Sequence, residues 1–347
     1  MAFDVKSVND NSANISHNGM HSFQELSILF EKEFAARHFP KEPTSLYNPA
    51  QYILQLGGKR IRPVLCLMAN ELVNEIHPDA YQTAIAIELF HNFTLIHDDI
   101  MDKAPLRRGM ETVHQKYGEP TALLAGDVML VTAYEYLNKI NRQHLQKILQ
   151  LFNKTGRQVC EGQQMDMDFS LLEPSEENKG LVTFDAYVKM IELKTSVLLA
   201  ASLQLGSILG GAGAGNQQHL YEFGKHLGMA FQVQDDYLDA FGDPGKVGKV
   251  QGGDILANKK TFLLIHAIEE ANGKQLQLIQ ETMKSSSDDK VDTMIRLYKD
   301  CNVDAWAKQL KEQYFKTAMK HLDDVAVLSA RKKPLAALAA FLMEREY

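Results

Sequence analysis

The sequence predicts an all-helical fold, and three observations support that prediction. Apolar residues recur three and four positions apart along most of the 347 residues, which is the spacing of one face of an α-helix. Runs of alternating apolar and polar residues flanked by turn pairs, which would indicate strands, are absent from the sequence. The glycine-rich run at 210–215 follows a helical segment and no strand, so it indicates a connection and not a nucleotide-binding loop.

Glycine and proline divide the helical pattern into segments. The first three predicted helices are 23–37, 64–76 and 81–97, interrupted by a glycine pair at 57–58 and by Pro78. After Pro105 and the Gly118–Pro120 turn come 121–138 and 143–160, and Pro174 precedes 184–209. The glycine-rich stretches 210–215 and 242–253 then enclose 218–241. The remaining predicted helices are 260–271, 290–299, 303–321 and 334–343.

Length and composition favour one large domain. A hydrophobic content of 45% is ample for a core, although domains often split beyond ~250–300 residues, and no linker composition interrupts the interior. We therefore predict one domain over 21–347 and a disordered, Asn- and Ser-rich extension over 1–20. The net charge of −7 argues against a nucleic-acid-binding protein, and no run approaches the ~20 apolar residues of a transmembrane segment. Three widely spaced cysteines fit a reducing cytoplasm.

Two aspartate clusters with the same spacing carry the chemistry. Asp98, Asp99 and Asp102 form DDIMD at the end of one predicted helix, and Asp235, Asp236 and Asp239 form DDYLD on another. Residues four apart share a helix face, so two carboxylates of each cluster project together. The residues that precede them on the same face are largely apolar in both helices. Like charges in such positions are unfavourable without cations. The candidate ligands are all oxygens, which indicates a hard ion, and Mg²⁺ suits them best.

Basic residues accompany the aspartates. Lys59, Arg60 and Arg62 lie in GGKRIRP, where the two glycines let the backbone approach an anion closely. Adjacent arginines 107 and 108 follow the first cluster, and forked guanidinium groups suit phosphate. Further cations lie at 194, 246, 249, 259 and 260. Acids and bases placed together in this way predict a polyanionic substrate joined to the protein through metal, and diphosphate fits that description.

The motifs together resemble the trans-prenyl diphosphate synthase family, of the short-chain farnesyl or geranylgeranyl type. They occur in order along about residues 45–265: GGKRIRP, DDIMD followed by RRG, GDVML, EGQQMD, LKT, FQVQDDYLD and NKKT. One position departs from the commonest pattern, because Asn258 stands where many members carry glycine. The resemblance implies a bundle of antiparallel helices around a central cavity, a cytoplasmic homodimer, and the joining of isopentenyl diphosphate to allylic diphosphates.

The resemblance also implies roles for individual residues. Magnesium, three ions with substrate bound, would be held by Asp98, Asp102 and Asp235, supported by Asp99, Asp236 and Asp239. The allylic substrate would contact Arg107, Lys194, Thr195, Gln232, Lys249 and Lys259. Isopentenyl diphosphate would contact Lys59, Arg62, His91 and Arg108, with Gln163 and Asp166 near the site.

Product length is predicted from the residues that precede the first cluster. One helical turn rises ~5.4 Å, close to one extended isoprene unit, so large side chains below Asp98 would form a floor. Thr94 permits growth, whereas Phe93 and Phe90 oppose it. An aromatic residue at 93 and no insertion in DDIMD resemble the short-chain synthases of the family, which implies farnesyl or geranylgeranyl diphosphate as product, with geranylgeranyl favoured. The alternative is that both phenylalanines are ordinary core residues.

Four other functions share parts of this pattern. A terpene cyclase also uses a DDxxD cluster but usually pairs it with a different metal motif, whereas this chain repeats DDxxD and carries GGKRIRP and RRG for a second diphosphate. A head-to-head synthase is disfavoured for the same reason. A silent subunit would have lost an aspartate cluster, and both are intact here. A plain cation-binding helical scaffold is the remaining alternative.

Overall fold

The computed structural model describes residues 19–172, 182–242 and 251–344. Most of these residues are helical and the described strands have two residues each, which confirms the predicted fold class. The first half contains α1 (Phe23–Phe34), α2 (Thr44–Gln55), α3 (Ile61–Val73), α4 (Pro78–Met101), strands β1 (Leu106–Arg107) and β2 (Met110–Glu111), α5 (Val113–Tyr117), α6 (Glu119–Leu137) and α7 (Arg142–Ser170). The second half contains α8 (Phe184–Ile191), a π-helical turn (Glu192–Ser196), α9 (Val197–Leu209), α10 (Ala214–Phe241), α11 (Gly253–Leu256), α12 (Phe262–Glu270), α13 (Gly273–Lys284), α14 (Lys290–Asp300), α15 (Val303–Asp324) and α16 (Ser329–Glu344).

Helix starts follow from local side-chain chemistry. Ser22 caps α1 in a reciprocal capping box with Glu25, and Asn272 does the same for α13. Thr183 and Thr261 accept hydrogen bonds from the first turns of α8 and α12. These caps satisfy backbone N–H groups that would otherwise lack partners, so the polar residues before the apolar stripes fix where the helices begin.

The described residues separate into two compact units. Unit 1 holds the described residues through Asn153, together with Ala201–Tyr221 and Asp323–Ala337. Unit 2 holds Lys154–Ala200, Glu222–Leu322 and the residues from Leu338 onward. The single domain over 21–347 therefore stays a prediction, and the extension at 1–18 lies outside the described residues.

The core of unit 1 forms around α3 and α4. Every residue from Pro63 to Leu72 is buried, and α4 packs against both α3 and α6. A fully buried Leu, Ile or Phe side chain contributes about 1.5–3 kcal/mol relative to an exposed one, so this apolar stretch is a main source of stability for the unit. This core also positions the first aspartate cluster, because it holds α4, and α4 ends in that cluster.

The core of unit 2 is a separate cluster of buried side chains. It includes Tyr187 and Met190 of α8, Val233 of α10, Phe262 of α12 and Leu297 of α14. The aromatic rings of Phe262, His266 and Phe184 surround Trp306 of α15. This packing holds α8 against α10, which carries the second aspartate cluster, and Tyr187 of α8 donates a hydrogen bond to Asp236 of that cluster.

Several elements differ from the sequence prediction, among them the short helices α5 and α11 and the π-helical turn within the predicted helix 184–209. The helix at Thr44–Gln55 was missed because Pro49 lies inside it, yet its buried residues still recur at helical spacing. The helix at Gly273–Lys284 was missed because glycine begins it. The β1–β2 hairpin was missed because its strands have two residues each, too few to show alternation.

Candidate functional site

The first aspartate cluster lies at the carboxyl end of α4 in unit 1. Asp98 is half-buried, Asp99 is buried and Asp102 is exposed as the last-turn cap, where its N–H donates to the Asp98 carbonyl at 2.8 Å. Carboxylates at this end of a helix meet the negative end of the helix dipole. A nearby cation would offset both the position and the charge of these carboxylates, and the metal site stays a prediction.

A hairpin holds Asp99 in place. Strands β1 and β2 pair antiparallel, and both turn residues, Arg108 and Gly109, have positive φ, the conformation of a tight type I′ turn. Arg107 on β1 donates two hydrogen bonds of 2.7 Å to the Asp99 carboxylate, whose side chain is only 3% exposed. This forked pair satisfies a buried charge, so Arg107 in this state binds the cluster itself. Its predicted contact with the allylic substrate stays a prediction.

Buried donors form an anion pocket in unit 1. The Arg62 Nε and Arg108 Nη1 atoms are buried and have no hydrogen-bond partner among the residues that the structure describes. Arg62 Nη1 lies 3.3 Å from His91 Nε2, and a Cβ built on Gly58 would lie 3.0 Å from the Arg108 guanidinium. Buried donors without acceptors are costly. An anion bound here would supply the missing acceptors, and the contacts predicted for Arg62, His91 and Arg108 with a diphosphate stay a prediction.

Electrostatics reinforce this interpretation of the anion pocket. Burial, together with the nearby charges of Arg62 and Arg108, holds the pKa of His91 well below its usual range. Burial also lowers the pKa of both arginine side chains. His91 is therefore neutral at physiological pH, and a bound anion would relieve the unfavourable desolvation of the two guanidinium groups.

Lys59 and Arg60 are adjacent but have different surroundings. Lys59 is exposed, whereas Arg60 adopts a left-handed conformation (φ 49°) and turns into the core. The Arg60 guanidinium donates to Glu88 at 2.6 Å, to Glu31 at 2.8 Å and to the Leu54 carbonyl at 3.1 Å. Arg60 thus anchors the loop between α2 and α3 and is not available to a ligand.

The residues predicted to control product length lie on α4. Phe90 is buried with its ring 5.3 Å from that of Phe152 and 5.6 Å from that of Phe93. Phe93 is half-buried and its ring lies 4.8 Å from His97. The Thr94 hydroxyl donates to the His91 carbonyl of its own helix at 2.8 Å. Phe90 is thus a core residue as well as a candidate floor, which keeps both interpretations open for it.

The second aspartate cluster lies on α10 in unit 2. The buried Asp236 carboxylate accepts hydrogen bonds from Gln232 at 2.7 Å and from the Tyr187 hydroxyl at 2.9 Å. Burial, followed by the nearby charge of Asp254, raises the pKa of Asp236 to about 7. The Asp239 carboxylate accepts from the Asp254 N–H at 3.0 Å, which ties α11 to the cluster. Asp235 is half-buried and directly precedes Asp236, whose side chain is held by the hydrogen bonds from Gln232 and Tyr187.

A second group of predicted residues gathers near the π-helical turn. Lys194 donates to Asp166 of α7 at 2.6 Å, and its neighbour Thr195 is half-buried, as is Gln163. The turn is wider than an α-helix, because the Val197 N–H donates to the Glu192 carbonyl five residues back. Inserted π turns occur frequently at functional sites.

The backbone conformation at Asn258 explains why asparagine is tolerated where many members of the resembled family carry glycine. It has φ 51°, a left-handed conformation that glycine adopts freely and that asparagine tolerates better than most residues. The Asn258 side chain also accepts a hydrogen bond of 2.9 Å from Lys290. The following Lys259 is half-exposed and lies 3.3 Å from Asp254. Lys246 and Lys249 lie outside the described residues.

The sequence interpretation did not find Tyr187, Asp254 or the anchoring role of Arg60. A lone tyrosine on an amphipathic helix gives no signal, since its partner is 49 positions away in the chain. Asp254 follows two glycines and has the local signature of a turn. Lys59 and Arg60 are adjacent basic residues, and the sequence does not indicate which of the two side chains points inward.

Tyr187→Phe is expected to weaken Mg²⁺ binding by about ten-fold, the low end of the ~10–100-fold typical of outer-shell partners, because Tyr187 holds Asp236, which supports the predicted ligand Asp235. The substitution removes only the hydroxyl that donates to Asp236. Calorimetric titration with Mg²⁺ in the presence of inorganic diphosphate measures the change. Tyr134→Phe is the control, because that hydroxyl donates to Asn153 instead. Equal affinities of the Tyr187→Phe and wild-type proteins would contradict the assignment.

No helix among the described residues is long and apolar enough to cross a membrane.

Comparison with known proteins identifies the family. A family model described as Polyprenyl synthetase matches residues 43–301. A geranylgeranyl diphosphate synthase of Methanosarcina mazei is 36% identical over 307 residues, which cover 88% of this chain and 91% of that protein. A geranylgeranyl pyrophosphate synthase of Geoglobus acetivorans is 37% identical over 88% of this chain and 93% of its own. A crystal structure of a geranylgeranyl pyrophosphate synthase matches with a TM-score of 0.88 and 38% identity, covering 94% of this chain and all of that one. The resemblance of the motifs is thus confirmed, and the chain is a member of the polyprenyl synthetase family.

Proposed function

We propose that the protein catalyses the magnesium-dependent, head-to-tail condensation of isopentenyl diphosphate with allylic diphosphates. The observation that carries this proposal is the anion pocket of Arg62, His91 and Arg108, which lies on and beside the helix that ends in the first aspartate cluster. His91 precedes Asp98 by seven residues, about 10.5 Å of helical rise. A diphosphate headgroup satisfies the buried guanidinium donors, and the carboxylates at the helix end call for metal.

The residues present fit magnesium. The carboxylates of both clusters offer hard oxygen donors, and no cysteine or histidine ligand is needed. Asp98, Asp102 and Asp235 would hold the metal, proposed as three ions with substrate bound. Bound magnesium would neutralise the charge that builds on the departing diphosphate.

The protein's own residues bind, orient and shield the reactants. Lys59, Arg62, His91 and Arg108 hold isopentenyl diphosphate, whereas Arg107, Lys194, Thr195, Gln232, Lys249 and Lys259 contact the allylic substrate. The allylic C–O bond breaks, and the diphosphate leaves with the bonding electrons. The double bond of isopentenyl diphosphate then forms the new C–C bond, and a proton passes to the diphosphate. The dipoles of the Lys194 carbonyl, the Thr195 hydroxyl and the Gln232 side chain stabilise the cation while apolar walls exclude water.

The test is product analysis with defined substrates. Purified protein with Mg²⁺, isopentenyl diphosphate and dimethylallyl, geranyl or farnesyl diphosphate is expected to release diphosphate and form a longer all-trans product. Chelation with EDTA is expected to abolish turnover, and added Mg²⁺ to restore it. Cyclised hydrocarbons would indicate a terpene cyclase instead, and no turnover with any substrate would contradict the proposal.

Geranylgeranyl diphosphate is the proposed main product, with farnesyl diphosphate as the alternative. The names of the two curated relatives support the longer chain.

Phe93→Ala is expected to shift the product toward longer chains, because it opens about one isoprene unit of space below Asp98. Phe90→Ala should act further down, although truncating this core residue costs about 3–5 kcal/mol. Chromatography of dephosphorylated products measures the shift; Phe39→Ala on unit 1 is the control, and an unchanged product from Phe93→Ala would exclude Phe93 as the floor.

A cytoplasmic homodimer is part of the proposal. The α6 helix buries one side in unit 1 and exposes Leu123, Leu124 and Val131 on the other. An exposed apolar stripe of this kind supports a contact with a second subunit.

A further inference from the structure

Three metal-ligating side chains of unit 2 lie together and take no part in the proposed condensation. Glu222 and His226 belong to α10, and His321 belongs to α15. One ligand atom of each lies within 4.8 Å of those of the other two. The rings of His226 and His321 stack at 5.5 Å with an angle of 24°, and all three side chains are half-buried.

The helices present these ligands in a fixed arrangement. Glu222 and His226 are four residues apart and therefore share one face of α10. His321 approaches that face from α15, so the three ligands come from two elements and not from a single flexible loop. A small side-chain adjustment brings them to the ~2.0–2.2 Å that N and O ligands keep from a transition metal.

Hydrogen bonding fixes the His226 tautomer. Its Nδ1 lies 2.8 Å from the Glu222 backbone carbonyl and 3.7 Å from a Glu222 carboxylate oxygen. A carbonyl oxygen only accepts, so Nδ1 carries a proton, and Nε2 is the ring nitrogen left for a metal. Metal-binding histidines typically donate their other N–H to a carbonyl or carboxylate in this way, which orients the ring and strengthens the ligand.

The chemistry of this set differs from that of the aspartate clusters. Two imidazoles and one carboxylate form a borderline ligand set that suits Zn²⁺, Co²⁺ or Ni²⁺ better than Mg²⁺. The Lys225 ammonium lies 2.6 Å from a Glu222 carboxylate oxygen and holds that side chain in position. His226 precedes Asp235 by nine residues, about 13.5 Å of helical rise, so the set is separate from DDYLD on the same helix.

We propose that Glu222, His226 and His321 form a transition-metal site, with Zn²⁺ as its occupant, that links α15 to α10. Because α10 carries the second aspartate cluster, zinc bound here would stabilise the helix that presents that cluster. The proposal does not depend on the condensation activity.

The test is zinc binding by metal-stripped protein in excess Mg²⁺, which occupies the oxygen sites, measured by competition with a chromogenic zinc chelator. One zinc per chain is expected, and Co²⁺ in its place should give the intense visible absorption of a nitrogen-containing site of low coordination number. His226→Ala and His321→Ala are each expected to weaken zinc binding roughly ten-fold or more, since even outer-shell partners contribute that much.

Two further variants keep the result interpretable. His144→Ala, a histidine of unit 1 outside the cluster, is expected to bind zinc like the wild type. Glu222→Gln preserves shape and should also weaken zinc binding, with circular dichroism confirming that each variant is folded. Failure of the wild type to bind zinc in excess Mg²⁺, or equal binding by the folded double variant His226→Ala/His321→Ala, would overturn the proposal.

Discussion

Asp98→Asn is expected to lower the rate of condensation by about a hundred- to a thousand-fold, the loss that typically follows removal of one charge-stabilising group from an active site. The change keeps the shape of the side chain and removes one negative charge from the end of α4. The proposed role of that charge is cation binding and not folding, so the substitution should not lower the free energy of unfolding. Like charges one turn apart repel, and their loss should even raise the melting temperature slightly.

Steady-state rates at increasing Mg²⁺ concentration measure the effect. Asp235→Asn on α10 is expected to behave in the same way, since the second cluster repeats the spacing of the first. Asp300→Asn, an exposed aspartate at the end of α14, is the matched control and should retain the wild-type rate. A wild-type rate for Asp98→Asn at every Mg²⁺ concentration would remove the first cluster from the mechanism.

Arg60→Ala is expected to destabilise the protein by about 3–5 kcal/mol, the usual consequence of removing one partner of a buried ion pair. The Glu88 side chain is only 3% exposed and would keep its charge without the guanidinium 2.6 Å away. The Leu54 carbonyl would also lose its donor. Urea unfolding followed by circular dichroism measures the change as a lower midpoint.

Two variants separate loss of the ion pair from loss of a substrate contact. Lys59→Ala changes the exposed neighbour and is expected to leave the urea midpoint unchanged while raising the KM for isopentenyl diphosphate. The double variant Arg60→Met/Glu88→Leu removes both charges and should recover much of the lost stability. If Arg60→Ala unfolded at the wild-type urea concentration, the pair would not be a structural anchor.

The sequence predicted the fold class and the position of both clusters because each depends on local spacing. The spacing of apolar residues every three to four positions can be read from the sequence itself. As predicted, α4 ends in the first aspartate cluster and α10 contains the second. Helix ends were less accurate: α4 runs to Met101 and α7 to Ser170, beyond their predicted limits. The α7 helix continues through Gly162, which the local pattern did not predict.

Side-chain partners were harder to predict because they depend on contacts that no spacing encodes. The sequence did not indicate that the type I′ turn after Arg107 directs its guanidinium onto Asp99, whereas its predicted contact with substrate stays a prediction. That turn has Arg-Gly at its centre in place of the usual Asn-Gly or Asp-Gly, so it carried no hairpin signal. The bond from Tyr187 to Asp236 joins two helices through tertiary packing alone.

The π-helical turn has a mechanical consequence. A Cβ built on Gly162 of α7 would lie 2.3 Å from the Lys194 amide nitrogen, so the two backbones touch with no side chain between them. Nothing compressible separates the turn from α7, and the ion pair between Lys194 and Asp166 bridges the same junction one helical turn further along. A displacement of one segment therefore presses directly on the other, so the position of the Lys194 ammonium is coupled to that of α7.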